Sequence, residues 1–83
     1  MRVLYFAWLR QKVGLAEEEV APPVEVRDVS ALIRWLAGRS AGHAAAFADP
    51  RQVRAAVNQD FATPDQPIAA NDEVAFFPPV TGG

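Results

Sequence analysis

Asp28-Val29-Ser30-Ala31-Leu32-Ile33-Arg34-Trp35-Leu36-Ala37-Gly38 carries the clearest helical periodicity in this 83-residue chain. Val29, Leu32, Ile33 and Leu36 fall at the i, i+3, i+4, i+7 positions that line one face of a helix. Asp28 has a short carboxylate suited to accept a first-turn N–H, and Gly38 stands where helices commonly end. A single amphipathic helix must bury its apolar stripe against something. The segments on either side of it read as strands, which makes that partner a sheet.

Upstream, Arg2 to Trp8 (Arg-Val-Leu-Tyr-Phe-Ala-Trp) is aromatic and aliphatic and too short for a good helix. It predicts a strand at or near the centre of a sheet, buried on both faces. Leu9 to Val13 reads as a turn or one helical coil closing at Gly14. Acidic Ala16 to Val20 then pairs back as an edge strand before Pro22-Pro23. Downstream, alanine-rich Ala41 to Ala48 suggests a short helix stopped by Asp49-Pro50. Val53, Ala55 and Val57 alternate like a half-buried strand, with a turn at Asn58-Gln59 and a brief segment around Phe61. After the turn at Asn71-Asp72, Glu73 to Phe77 forms the last strand, which Pro78-Pro79 ends because neither proline can donate a ladder hydrogen bond. The order is strand, strand, helix, short helix, strand, short strand, strand. That is an α+β pattern, the ubiquitin-like β-grasp, with residues 1–77 as the domain and residues 78–83 as an extended tail.

Composition sets further bounds. A chain this short supports one core, and 51% hydrophobic with 22% charged residues is the balance of a globular domain. There is no cysteine, so neither a disulfide nor a thiolate zinc site staples it. Apolar runs break well before the roughly 20 residues a membrane helix needs. Met1-Arg2 leads straight into a strand-like segment rather than a signal peptide, so a cytoplasmic protein without membrane partners is expected. A net charge of −2 and scattered Lys and Arg argue against nucleic acid.

Catalytic constellations are missing. His43 is the sole histidine and reads as a surface or partly buried helix residue. Glu17-Glu18-Glu19 on a strand would point to alternating faces, so a solvated edge is expected rather than a metal site. Asp60, Asp65, Asp72 and Glu73 lie in or beside turns, where short acidic side chains bond local backbone. No nucleophile-base pair and no bound metal or cofactor is expected. The tail is different. Gly82 and Gly83 have no side chains and can lie extended in a narrow channel of another protein, while Pro78 and Pro79 stiffen the exit from the last strand. Six residues follow Phe77 and reach roughly 20 Å at ~3.3–3.6 Å each.

The stretch Asp72-Glu73-Val74-Ala75-Phe76-Phe77-Pro78-Pro79-Val80-Thr81-Gly82-Gly83 resembles the C-terminal signature of the molybdopterin synthase small-subunit family. Ala56-Val57-Asn58-Gln59 and Val3-Leu4-Tyr5-Phe6-Ala7 also match that family's pattern, so the likeness spans the chain. The resemblance implies a sulfur carrier whose Gly83 carboxyl is adenylated with ATP by a ubiquitin-activating-type adenylyltransferase. A sulfur donor protein then converts it to a thiocarboxylate. Val80, Thr81 and Gly82, following Pro79, would insert into the molybdopterin synthase large subunit, where two such sulfurs build the dithiolene from cyclic pyranopterin monophosphate. A heterotetramer of two small and two large subunits is implied with it. Phe6, Arg10, Phe61 and Phe77 are the docking residues carried over by position. Trp8 is bulkier than the polar residue expected there, and Phe61 stands in place of an aliphatic one.

The alternatives are a sulfur carrier for thiazole synthesis, a ubiquitin-like protein modifier acting through Gly83, and an interaction module with an inert tail. The first shares the diglycine end but has a shorter chain without the Phe-Phe-Pro-Pro run.

Overall fold

The computed structural model describes residues 1–79; Val80, Thr81, Gly82 and Gly83 lie outside the described residues. Its elements run β1 (Arg2–Tyr5), α1 (Trp8–Val13), β2 (Glu17–Glu19), α2 (Val29–Ala37), α3 (Ala41–Ala46), a 3-10 turn (Pro50–Gln52), β3 (Arg54–Val57), β4 (Asp60–Ala62) and β5 (Glu73–Phe77). The five strands form one sheet in the order β2-β1-β5-β3-β4. β1 and β5 pair in parallel, with Val3 opposite Val74, and the other neighbours pair antiparallel. A mixed sheet with its main helix across one face is the expected β-grasp.

The periodicity of α2 does what its pattern requires. Val29, Leu32 and Leu36 are buried against Val3, Tyr5, Ala55, Val57, Val74 and Phe76 of the sheet. The first turn of α2 has its backbone donors satisfied three ways. Ala31 N–H donates to the Asp28 carboxylate at 2.8 Å, and the N–H groups of Val29 and Ser30 donate to the carbonyls of Gln66 and Pro64. The proline-bearing loop after β4 is thereby tied to the helix start. At the other end Gly38 is right-handed (φ −84°, ψ −2°), so α2 closes in a tight turn rather than on the left-handed glycine its sequence suggests.

Several expectations need correction. The first strand ends at Tyr5, because Ala7 adopts φ 56° and turns the chain into α1, whose first residue is Trp8. Trp8 therefore packs beside the core from a helix and does not extend the strand. β1 lies next to the central strand β5, as expected, but it is not buried on both faces, since only Val3 and Tyr5 are buried. Ala55, Ala56 and Val57 are all buried, where alternation predicted a half-buried β3. Ala56 is small and sits in register between Phe61 and Ala75, which shelter it on the sheet's open side.

Two backbone features hold the domain's ends in place. Asn58 and Gln59 are both left-handed (φ 51° and 73°), giving the tight β3–β4 hairpin its twist-matched turn. The Asn58 side chain accepts from Glu73 N–H and donates to the Asp72 carboxylate, both at 3.0 Å, while Asn58 N–H donates to Glu73 C=O at 2.8 Å. This turn thus fixes where β5 begins. On the other side α1 and α3 meet so closely that a Cβ at Gly42 would collide with the Lys12 carbonyl oxygen.

Candidate functional site

β5 alternates strictly. Val74 and Phe76 are fully buried beneath the helical layer, while Glu73, Ala75 and Phe77 face the open side of the sheet, which none of the described helices covers. Strand register carries that open side across the domain: Leu4 lies opposite Ala75, Ala75 opposite Ala56, and Ala56 opposite Phe61. Phe77 is one step further along β5, beside Arg54 of β3. The ladder continues past β1, with Phe6 N–H donating to Phe76 C=O at 3.0 Å; strand alternation puts Phe6 on the same side as Leu4.

This face collects aromatic rings that a small domain would ordinarily bury. Phe61 is 84% exposed and Phe6 48% exposed, and the Phe61 and Phe77 rings lie 5.8 Å apart at 60°. The core has its own aromatic cluster in Tyr5, Phe47 and Phe76, with Phe47 edge-on to Phe76 at 5.1 Å. Phe6 and Phe61 are therefore surface residues, and Phe77 is half-buried between the two settings. An exposed aromatic surface at the end of the central strand has the composition of a protein contact site.

Phe77 leads directly into Pro78 and Pro79, both partly exposed and outside any strand, so the described residues end at the margin of this surface. Of the tail residues singled out in the sequence, only Pro79 is among the described residues. Gly83, Gly82, Thr81 and Val80 lie beyond them. Arg10 is set apart from the rings. It is exposed on α1 and borders a shallow hollow with Ala7, Gln11 and Gly14. Among the described residues its guanidinium has no ion-pair partner.

Sequence reading missed a polar cluster on the opposite, helical side. His43 is buried, not at the surface, and Glu18 is not part of a solvated edge: its side chain is only 12% exposed. Glu18 Oε2 accepts from the Tyr5 hydroxyl at 2.7 Å and lies 2.7 Å from His43 Nε2, while His43 Nδ1 meets Ser40 Oγ at 2.7 Å. Burial alone would raise the Glu18 carboxyl, but hydrogen bonds from His43 and Tyr5 and the charges of His43 and Arg39 hold it below the usual carboxylate range. Burial, followed by the Glu18 contact, pushes the Tyr5 hydroxyl well above its ordinary value. The alternation of β2 held the clue, since Glu18 shares the inward face with its partner Val3. The cluster lies on the face of the sheet opposite Phe77 and joins β1, β2 and α3. Among the described residues no group of His, Cys, Asp or Glu is arranged to hold a metal ion. No described helix is long and apolar enough to cross a membrane.

Comparison with known proteins agrees with this architecture. The ThiS family pattern matches residues 3–83. The molybdopterin synthase sulfur carrier subunit of Escherichia coli (strain K12) is 45% identical over 83 residues, covering 100% of this chain and 99% of the relative. Among solved structures, a Pyrococcus furiosus chain described as molybdopterin converting factor, subunit 1, superposes with a TM-score of 0.77 at 34% identity, covering 95% of each chain. SAMP1 from Haloferax volcanii superposes with a TM-score of 0.75 at 26% identity, covering 100% of this chain and 98% of its own.

Proposed function

The chain belongs to the ThiS family, and from that premise we propose that it is the sulfur-carrying small subunit of a cytoplasmic molybdopterin synthase. The observation that carries this reading is the end-to-end 45% identity to a molybdopterin synthase sulfur carrier subunit. The geometry supports it, because the central strand delivers the chain to a proline-stiffened exit at the edge of an exposed aromatic face.

The chemistry then follows from what the tail can offer. A free terminal carboxyl has a pKa of about 3.3–3.7, so at neutral pH Gly83 is a carboxylate and a poor electrophile. Attack of that carboxylate on the α-phosphorus of ATP, with loss of pyrophosphate, makes an acyl-adenylate on a separate activating enzyme. The persulfide of a donor protein displaces AMP to form an acyl disulfide, and a second thiol cleaves its S–S bond, leaving the thiocarboxylate on Gly83 and a disulfide on the donor side. The chain has no cysteine, so no side-chain thiol competes as the carrier. Val80, Thr81, Gly82 and Gly83, following Pro79, enter the large subunit, whose cationic groups attract the anionic thiocarboxylate and bind the pterin substrate. Phe6, Phe61 and Phe77 form the docking face for both enzymes, and Arg10, apart from the rings on α1, makes a separate contact.

Intact-mass measurement of the protein from its own cell tests this reading. The expected result is a fraction heavier by one oxygen-to-sulfur exchange, mapped to Gly83, and its loss when Gly83 is deleted while the thermal unfolding midpoint stays unchanged. A protein that supports dithiolene formation with its last residue removed would overturn it.

A further inference from the structure

A second surface lies between α2 and the β3–β4 hairpin, away from the β1 side of the aromatic face. It is a groove of about 630 Å³ with an apolar floor of Val29, Ile33, Val53 and Ala55, flanked by Pro50 and Pro64. Its rim carries Arg34, Arg51 and Arg54, three of the eight basic residues in the chain, and no acidic residue lines it. The protein is acidic overall, so this local balance runs against the net charge of −2.

The neighbouring carboxylates are engaged locally. Asp28 caps α2, Asp65 accepts from Thr63 Oγ1, and Asp49 pairs with Arg51. Asp49 therefore offsets one of the three guanidinium groups, and Arg34 and Arg54 have no carboxylate partner among the described residues. Both are held in place by neutral acceptors. Arg34 Nη1 donates to Ser30 Oγ at 2.9 Å, and Arg54 Nη1 donates to the Arg51 and Val53 carbonyls at 3.1 and 3.3 Å. Each guanidinium keeps further donors free for a carboxylate.

From this complementarity we propose that the Arg34–Arg51–Arg54 groove binds an acidic, amphipathic segment of a partner protein, its apolar side chains on the floor and its carboxylates on the arginine rim. The guanidinium groups are exposed, and exposed ion pairs are individually weak. Useful affinity must come from several pairs together with apolar burial, which an extended segment supplies and a small anion does not. The groove is independent of the tail chemistry, so its test does not depend on sulfur loading.

Titrate the full chain with a fluorescein-labelled heptapeptide, Asp-Glu-Ile-Val-Glu-Leu-Asp, blocked at both ends, and follow anisotropy and amide chemical shifts. Saturable binding that weakens with salt is expected, with shifts centred on Ser30, Ile33, Arg34 and Thr63. A Lys-for-acid peptide and a Ser-for-apolar peptide should each bind at least about tenfold more weakly. The double variant Arg34→Glu, Arg51→Glu should lose about tenfold in affinity at an unchanged melting temperature, and Phe61→Ala should lose none. No saturable binding, equal binding of the lysine peptide, shifts centred on Phe61 and Phe77, or full displacement by equimolar ATP would each overturn the proposal.

Discussion

His43 Nε2 and Glu18 Oε2 lie 2.7 Å apart although 25 residues separate them, and this contact fastens α3 to the edge strand β2. Tyr5 completes the bridge from β1, stacking edge-on against the His43 ring with centroids 5.9 Å apart while donating to Glu18. Among the described residues no buried side-chain polar atom is left without a partner, so removing one member of the cluster strands another. His43→Ala should cost about 2–3 kcal/mol in urea unfolding, and Tyr5→Phe about 1 kcal/mol.

The same cluster gives stability a pH dependence with a definite sign. The Glu18 carboxyl titrates lower when folded than unfolded. Its contribution is fully present above the unfolded value, near ~4.3, and is lost as the pH falls through the lower folded value. Glu18→Gln should be less stable than wild type at pH 7, and the gap should shrink on acidification toward pH 3. Urea midpoints measured at both pH values check this; a constant gap would remove Glu18 from the acid response.

Asn58 is expected to be worth more than its exposed position suggests. Asn58→Ala removes both side-chain hydrogen bonds to the start of β5 and places alanine at φ 51°. A loss of about 1–2 kcal/mol is expected. Gln59→Gly, at φ 73°, should be neutral or stabilising in the same assay, because glycine takes left-handed conformations without a Cβ penalty.

Gly42→Ala sets helix propensity against packing. Alanine favours a helix by about 1 kcal/mol over glycine. Here its Cβ would strike the Lys12 carbonyl oxygen, backbone that cannot swing aside as a side-chain tip could. Packing should win, with a net destabilisation of about 1–3 kcal/mol in thermal or denaturant unfolding. A stabilised variant would show that α1 and α3 can move apart freely.

Phe61→Ala separates docking from folding. Phe61 is 84% exposed, so folding stability should change by no more than about 0.5 kcal/mol. Binding to the large subunit should weaken by tenfold or more, since aromatic anchors at interfaces commonly carry about 2 kcal/mol. Calorimetric titration with the large subunit reads the effect; unchanged affinity would remove Phe61 from the docking face.

The chain's own order of residues determined the α2 face, the Asp28 cap, the hairpin at Asn58-Gln59 and the end of β5 at Pro78, because each depends on neighbours within a few positions. The diglycine end was legible in the same way, as two residues without side chains, and the carrier role proposed for it came from the family resemblance. Tertiary structure decided what rests on long-range register. The parallel pairing of β1 with β5 and the antiparallel pairing of β3 with β5 put Phe6, Phe61 and Phe77 on one open face, whereas each alone could equally have been core. Ala7 broke the first strand early and sent Trp8 into a helix, which no propensity at that position foretold. Glu18 and His43 looked like an edge carboxylate and an incidental helix residue. Their partnership exists only because β2 folds against β1 while α3 packs on the same side, and a polar pair this far apart in sequence leaves no periodic trace before the chain closes on itself.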